Sequence, residues 1–108
     1  MEGDTTMRLF EMMNGNIFLV GPIQNASRKN QDYIMRCLAR FFTGDYGEIP
    51  PEDVTANNSE LEAGAGRIIA RYKPAEGMAE DFYIMAYFDQ DRPGIDCNYT
   101  SVFYCSDY

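Results

Sequence analysis

Acidic side chains supply most of the chemistry that this 108-residue chain could perform. One close pair is Asp45 with Glu48, and another is Glu52 with Asp53. General acid–base catalysis needs two carboxylates in different environments that face one cleft. Capping and turn roles explain the same residues without catalysis. We therefore predict no catalytic residues, and we interpret these four acids together with Tyr46 as an acidic edge that faces a partner.

Two other segments have some features of ligand sites. Asp89, Asp91 and Asp96 lie close together, but they lack the alternate ligand positions and the closing Glu of a calcium loop, and Pro93 interrupts the pattern. The segment "EAGAGR" follows a predicted helix instead of a strand and has no Lys-Ser/Thr, so it does not match a phosphate loop. We expect solvated acids, no metal and no cofactor.

The chain contains no His and three Cys. Without His it lacks the commonest general base, the Ser-His and Cys-His pairs, and most zinc and haem sites. The spacing of Cys37, Cys97 and Cys105 matches no zinc or redox motif, and an odd number indicates reduced thiols. The N-terminal residues have neither a basic segment nor a long apolar run. These features favour a cytoplasmic protein that is not an enzyme and does not bind membranes.

The net charge is −8, from 17 acids and 9 bases. Such a chain binds nucleic acid poorly, because phosphate contacts need Lys and Arg. We therefore expect no direct contact with nucleic acid. The charge serves either solubility or attraction to a basic partner surface, and the sequence leaves both open.

Six basic residues form a candidate anion or nucleotide site. Four come from one predicted helix and two from one predicted strand: Arg28, Lys29, Arg36, Arg40, Arg67 and Arg71. Arg binds phosphate or carboxylate through paired hydrogen bonds. The alternative is internal pairing with the many acids of the chain.

Two helices are predicted from spacing and capping. Apolar residues recur at i, i+3, i+4 and i+7 from Ile34 to Phe41, after a capping Asn25 or Ser27 and before Gly44. A second helix is predicted from about Pro51 to Ala63, since Pro is favoured in the first turn and Gly64 can end it.

Four segments have strand patterns. They are residues 16–23, 66–74, 81–89 and 99–105. The order β-α-α-β-β-β predicts an α+β domain over residues 16–108, with one strand, two helices and then a three-stranded antiparallel meander. The helices are expected to pack on one face of the sheet. Residues 1–15 are expected to form a flexible or docking N-terminal arm.

One set of residues resembles a family of short proteins from phages, plasmids and other mobile elements. The similar positions are Gly44–Glu48, Glu52, Asp53, Asn57, Leu61, Gly64, Arg67, Tyr72, Phe82–Met85, Asp91, Arg92, Thr100 and Ser106–Tyr108. The family motif is GD(W/Y)G(E/D), and its members are often labelled as restriction-modification subunits. Trp usually stands where this chain has Tyr46 and Tyr83. The resemblance brings no catalytic residues.

The resemblance, in a small acidic chain without His, implies a counter-defence protein that acts by binding. We expect it to inhibit a host nuclease complex without catalysis, in the manner of anti-CRISPR or anti-restriction proteins. Its acidic stretches, residues 45–62 and 76–96, would occupy a basic nucleic-acid channel of that complex. The alternative is a homo-oligomeric sponge that sequesters a nucleotide immune signal beside the basic helix. The expected partners are therefore a host defence complex or a small nucleotide, and a homodimer remains open.

Overall fold

The computed structural model describes Met13 and residues 16–108. The predicted N-terminal arm lies outside the described residues except for Met13, whose side chain is buried in the core. The elements, in chain order, are β1 (Ile17–Leu19), α1 (Arg28–Phe41), α2 (Pro51–Ala63), β2 (Ala65–Tyr72), β3 (Phe82–Asp89) and β4 (Tyr99–Tyr104). Short 3-10 helices follow β1 and β4, at Gly21–Asn25 and Cys105–Asp107. None of the described helices is long and apolar enough to cross a membrane.

The strands form one mixed sheet in the order β1-β4-β3-β2. β2, β3 and β4 pair antiparallel in sequence order, whereas β1 pairs parallel with β4 from Ile17–Thr100 to Leu19–Val102. The α+β class with two helices is thus confirmed. The predicted three-stranded meander does not match exactly, because β1 joins the sheet as a fourth, parallel strand. Alternation along a strand does not identify its neighbour. The long connection that parallel pairing requires runs through both helices and through β2 and β3.

α1 forms where its local sequence favours a helix. The Ser27 side chain accepts a hydrogen bond from the Asn30 backbone N–H at 3.2 Å, which caps the first turn. The predicted apolar face is buried against the sheet, and it consists of Ile34, Cys37, Leu38 and Phe41. Burial of one large apolar side chain stabilises a fold by about 1.5–3 kcal/mol. This face therefore provides much of the packing that holds α1 on the sheet.

Alternation along the strands gives the sheet two different faces. The face toward α1 carries the fully buried core, which includes Ile68, Ala70, Tyr72, Phe82, Ile84, Ala86 and Val102. The other face carries basic, aromatic and sulfur-containing side chains, namely Arg67, Arg71, Tyr83, Met85, Tyr87, Tyr99 and Phe103. Residues of β2 that neighbour each other in sequence therefore lie on opposite sides of the molecule.

Candidate partner-binding surface

The segment Gly44–Glu48 acts as a clasp on the edge of β2. The Arg71 N–H donates to the Tyr46 carbonyl at 3.2 Å, and the Glu48 N–H donates to the Arg71 carbonyl at 2.7 Å. The Tyr46 ring is only 6% exposed and packs edge-to-face against Phe41, with ring centres 5.9 Å apart. The segment thus joins the end of α1 to the sheet.

Asp45 stabilises this clasp from several sides. Its carboxylate accepts hydrogen bonds from the Arg40 side chain at 2.7 and 3.2 Å and from the Gly47 backbone N–H at 3.2 Å. The Tyr72 hydroxyl donates to the Asp45 carbonyl at 2.6 Å. The hydrogen bonds from Arg40 lower the pKa of Asp45, and partial burial opposes this only in part. A lowered pKa is expected for a carboxylate that accepts hydrogen bonds from a cation, and it does not require a catalytic role.

Gly47 cannot carry a side chain in this clasp. Its φ angle is +69°, and a Cβ atom there would overlap the carbonyl oxygen of Arg71 and lie 2.8 Å from the Tyr72 ring. Residues with a Cβ rarely adopt such angles. The second Gly of the GDYGE motif is therefore required by close packing against β2.

These contacts change the interpretation of the predicted acidic edge. Tyr46 was expected on a surface that faces a partner, but its ring is buried in the core. Asp45 is half exposed but paired with Arg40, and Glu48 lies 3.6 Å from the Lys73 ammonium. Glu52 is exposed and Asp53 is partly exposed, both in the first turn of α2. The two α2 acids are thus the part of the predicted edge that best fits an exposed negative surface.

A larger set of acids lies on α2 and on the loop between β3 and β4. The Gln90 N–H donates to the Gly64 carbonyl at 2.8 Å, which joins the end of α2 to the start of that loop. We call the acidic surface the set formed by Glu52, Asp53, Glu60, Glu62, Asp89, Asp91 and Asp96. Arg92 is the one base in these two segments, and its guanidinium lies 3.8 Å from the Asp89 carboxylate. Seven of the 17 acids of the chain therefore lie in two segments that are joined at Gly64 and Gln90.

The loop that carries Asp91 and Asp96, and the end of β3 at Asp89, are held in shape by Asn98. The buried Asn98 amide donates to the carbonyls of Arg92 and Gly94 at 2.8 and 3.0 Å and accepts from the Asp89 N–H at 2.9 Å. Within the described part of the chain, no three Cys, Asp or Glu side chains are placed to hold a metal ion.

α2 is anchored by a residue whose role the sequence interpretation missed. Asn57 is 1% exposed, and its amide donates to the Ile69 carbonyl at 2.8 Å and accepts from the Ile69 N–H at 3.1 Å. It thereby fills hydrogen-bonding positions on the edge of β2. The signal was present in the sequence, because Asn57 interrupts the apolar stripe formed by Val54 and Leu61.

The structure does not bring the six predicted basic residues into one site. Arg28, Lys29, Arg36 and Arg40 lie on α1, while Arg67 and Arg71 project from the opposite face of the sheet. The Arg71 guanidinium pairs with the Asp81 carboxylate at 2.9 Å, and the Arg67 guanidinium donates to the Tyr108 hydroxyl at 3.1 Å. On α1, the Arg36 and Arg40 guanidinium groups lie 5.8 and 5.0 Å from the ring centres of Tyr33 and Tyr72.

A polar cleft of about 370 Å³ lies at the start of α1. Its lining includes Ser27, Lys29, Asn30, Glu76 and Tyr104. The Asn30 side chain is 6% exposed and forms no hydrogen bond with the described residues. This cleft therefore brings one predicted basic residue, Lys29, beside the polar side chain of Asn30.

Comparison with protein-family models, curated proteins and solved structures gives no match. The resemblance to a mobile-element family therefore remains a prediction. The structural role of Gly44–Glu48 stands without it, because the clasp follows from the contacts of those residues.

Proposed function

We propose that the protein acts by binding, as a non-catalytic inhibitor of a host nuclease complex, and that the acidic surface contacts the partner. The observation that carries the proposal is the bond between the Gln90 N–H and the Gly64 carbonyl, which joins the two acidic segments. A clustered negative surface attracts a basic surface, speeds encounter and opposes approach to acidic partners. A basic nucleic-acid channel on a nuclease complex has the required complementary charge.

The geometry favours binding over acid–base catalysis. Asp45, whose pKa is lowered, is held by Arg40 and by the Gly47 N–H, so its carboxylate serves the clasp. Glu52 and Glu62 are exposed on α2. Exposed carboxylates in water lack the separate environments that an acid–base pair needs.

The test compares two triple variants with equal charge. The first neutralises the acidic surface through Glu52→Gln, Glu62→Gln and Asp96→Asn. The second neutralises acids elsewhere in the chain through Glu2→Gln, Asp32→Asn and Asp107→Asn. Both leave the same net charge, so any difference between them reports where the charge lies.

Binding to immobilised nuclease complexes would be measured in rising salt. We expect the first triple variant to weaken binding about tenfold or more and to reduce the dependence on salt, because three contact charges are lost. The second should change affinity by less than about twofold. Equal weakening by both variants would show that only net charge matters. Tight binding that does not respond to salt would refute docking through the acidic surface.

A second function, sequestration of a small anionic ligand, is favoured by the cleft at the start of α1. Lys29 supplies a cation there, and the buried Asn30 amide can donate and accept hydrogen bonds. Glu76 lines the same cleft and opposes anions of high charge. The measurement is the melting temperature with cyclic nucleotides, for the wild type and for Lys29→Gln. A rise in the wild type that the variant loses supports this function, and no rise with any nucleotide dismisses it.

A further inference from the structure

The two edge strands of the sheet, β2 and β1, differ in how far their outward backbone groups are hydrogen-bonded. At the β2 edge, the Asn57 side-chain amide forms hydrogen bonds with the N–H and the C=O of Ile69. The clasp forms hydrogen bonds with the N–H and the C=O of Arg71. Open strand edges invite pairing with other chains, and proteins commonly block them. The β2 edge is blocked over its central part by contacts within the chain.

The β1 edge has two residues whose backbone groups point away from β4. On the side toward β4, the Asn16 carbonyl accepts from the Thr100 N–H at 2.8 Å, and the Val20 N–H donates to the Val102 carbonyl at 2.9 Å. Alternate residues of a strand face the same neighbour, so Ile17 and Leu19 direct their N–H and C=O groups away from β4. Among the described residues, none accepts or donates a hydrogen bond at those groups.

The side chains at this edge are apolar and exposed. Phe18, Leu19 and Val20 are 43%, 37% and 46% exposed. Residues 16–27 carry no charge, although the chain has a net charge of −8. Two acidic copies can therefore approach at β1 with no like charges on the paired strands themselves, and the acid next to this segment is Asp107, which lies beside Gly21.

We propose that β1 pairs antiparallel with β1 of a second copy, so that the sheet continues through a twofold dimer. In a pairing centred on Phe18, Ile17 lies opposite Leu19 of the second copy, and every outward N–H and C=O of the two residues finds a partner. A twofold interface brings the same patch together from both chains, so one uncharged strand serves both sides. The exposed apolar side chains are then partly covered by their own copies.

This dimer is independent of the proposed inhibitory function. α2 packs beside β2, at the other edge of the sheet from β1. The α2 acids of the acidic surface therefore remain accessible in both copies, whereas the β3–β4 loop lies nearer β1, since the Asn16 amide donates to the Asn98 carbonyl at 3.1 Å. Loss of pairing and loss of partner binding can accordingly be measured separately.

The test removes the outward donor of β1 without touching its ladder to β4. In Leu19→Pro the lost N–H is the one that points away from β4, so circular dichroism should show an intact fold. Leu19→Lys is the second variant, because an edge Lys opposes strand pairing and keeps the backbone donor. Met35→Lys is the matched control, since Met35 is an exposed apolar residue of α1.

Mass would be measured by sedimentation equilibrium over a wide range of concentration. We expect the wild type and Met35→Lys to form dimers alike, and both Leu19 variants to associate about 10- to 30-fold more weakly. Amide exchange at Leu19 should slow as the wild-type concentration rises. A wild type that stays monomeric throughout, or Leu19 variants that associate as the wild type does, would overturn the proposal.

Discussion

The amide of Asn57 offers the sharpest test of how α2 is held on the sheet. Asn57 is buried, and it bonds both the carbonyl and the N–H of Ile69. Asn57→Ala removes both hydrogen bonds and leaves the two backbone groups of Ile69 without a partner. Because α2 carries four acids of the acidic surface, its anchoring also positions the proposed binding site.

The expected loss follows from these two bonds. A hydrogen bond within a protein contributes about 1 kcal/mol net, and a buried group left unpaired costs about 1–3 kcal/mol. Water can reach part of this strand edge, since Ile69 is only half-buried. We therefore expect Asn57→Ala to lower the free energy of unfolding by about 2–4 kcal/mol. For a domain whose total stability is about 5–15 kcal/mol, that is a large fraction.

Urea unfolding followed by circular dichroism measures this change. The matched control is Asn58→Ala, the next residue of the same helix with an exposed side chain, which should change stability by less than about 0.5 kcal/mol. Asn57→Asp keeps an acceptor for the Ile69 N–H but turns a second oxygen toward the Ile69 carbonyl, so we expect a loss at least as large as for Ala. If Asn57→Ala and Asn58→Ala unfold at the same urea concentration, the amide does not hold the edge and the reasoning fails.

Three further predictions concern single side chains. The folded-state pKa of Asp45 is lowered, so its contribution to stability is present above the ordinary carboxyl pKa and is lost as pH falls through the folded-state value. Urea titrations should show Asp45→Asn less stable than the wild type by less than about 1 kcal/mol near neutral pH, with the gap closing in acid; a gap that persists at the lowest pH would contradict this. Thr100 is buried with a hydroxyl that has no partner among the described residues, so Thr100→Val should raise the free energy of unfolding by about 0.5–1 kcal/mol in the same assay; a loss would reveal a partner. Burial raises the pKa of the Cys37 thiol, so mass spectrometry after brief alkylation should find Cys37 unmodified in native protein and modified in urea; rapid native modification would refute its burial.

The helices could be predicted because their signals are local. The spacing of Ile34, Cys37, Leu38 and Phe41 and the capping Ser27 lie within one segment, and both the face and the start of α1 agree with them. The start of α2 at Pro51 follows in the same way from the preference for Pro in a first turn. Such features depend on neighbours in sequence, which the chain displays directly.

The clasp and the sheet partner of β1 depend on distant contacts and could not be predicted in this way. Tyr46 stands between Asp and Gly, which are typical of exposed turns, yet its contact with Phe41 and the bridge to Arg71 bury it. The parallel pairing of β1 with β4 joins the two ends of the described chain, and alternation within β1 holds no information about it. The burial of Tyr46 could therefore not be predicted from its neighbours in sequence, and the acidic edge stays a prediction.

Pairing through β1 and docking through the acidic surface together predict bivalent binding. A dimer joined at β1 would display two acidic surfaces, one from each copy, and would bind a target with repeated basic sites through both. Leu19→Pro should then weaken binding to a densely immobilised partner much more than binding to the same partner at low density, where one site is engaged at a time. The triple variant Glu52→Gln, Glu62→Gln and Asp96→Asn should weaken both measurements alike, because each contact is altered. Equal effects of Leu19→Pro at both densities would separate the dimer from the inhibitory function and leave the acidic surface to act in single copies.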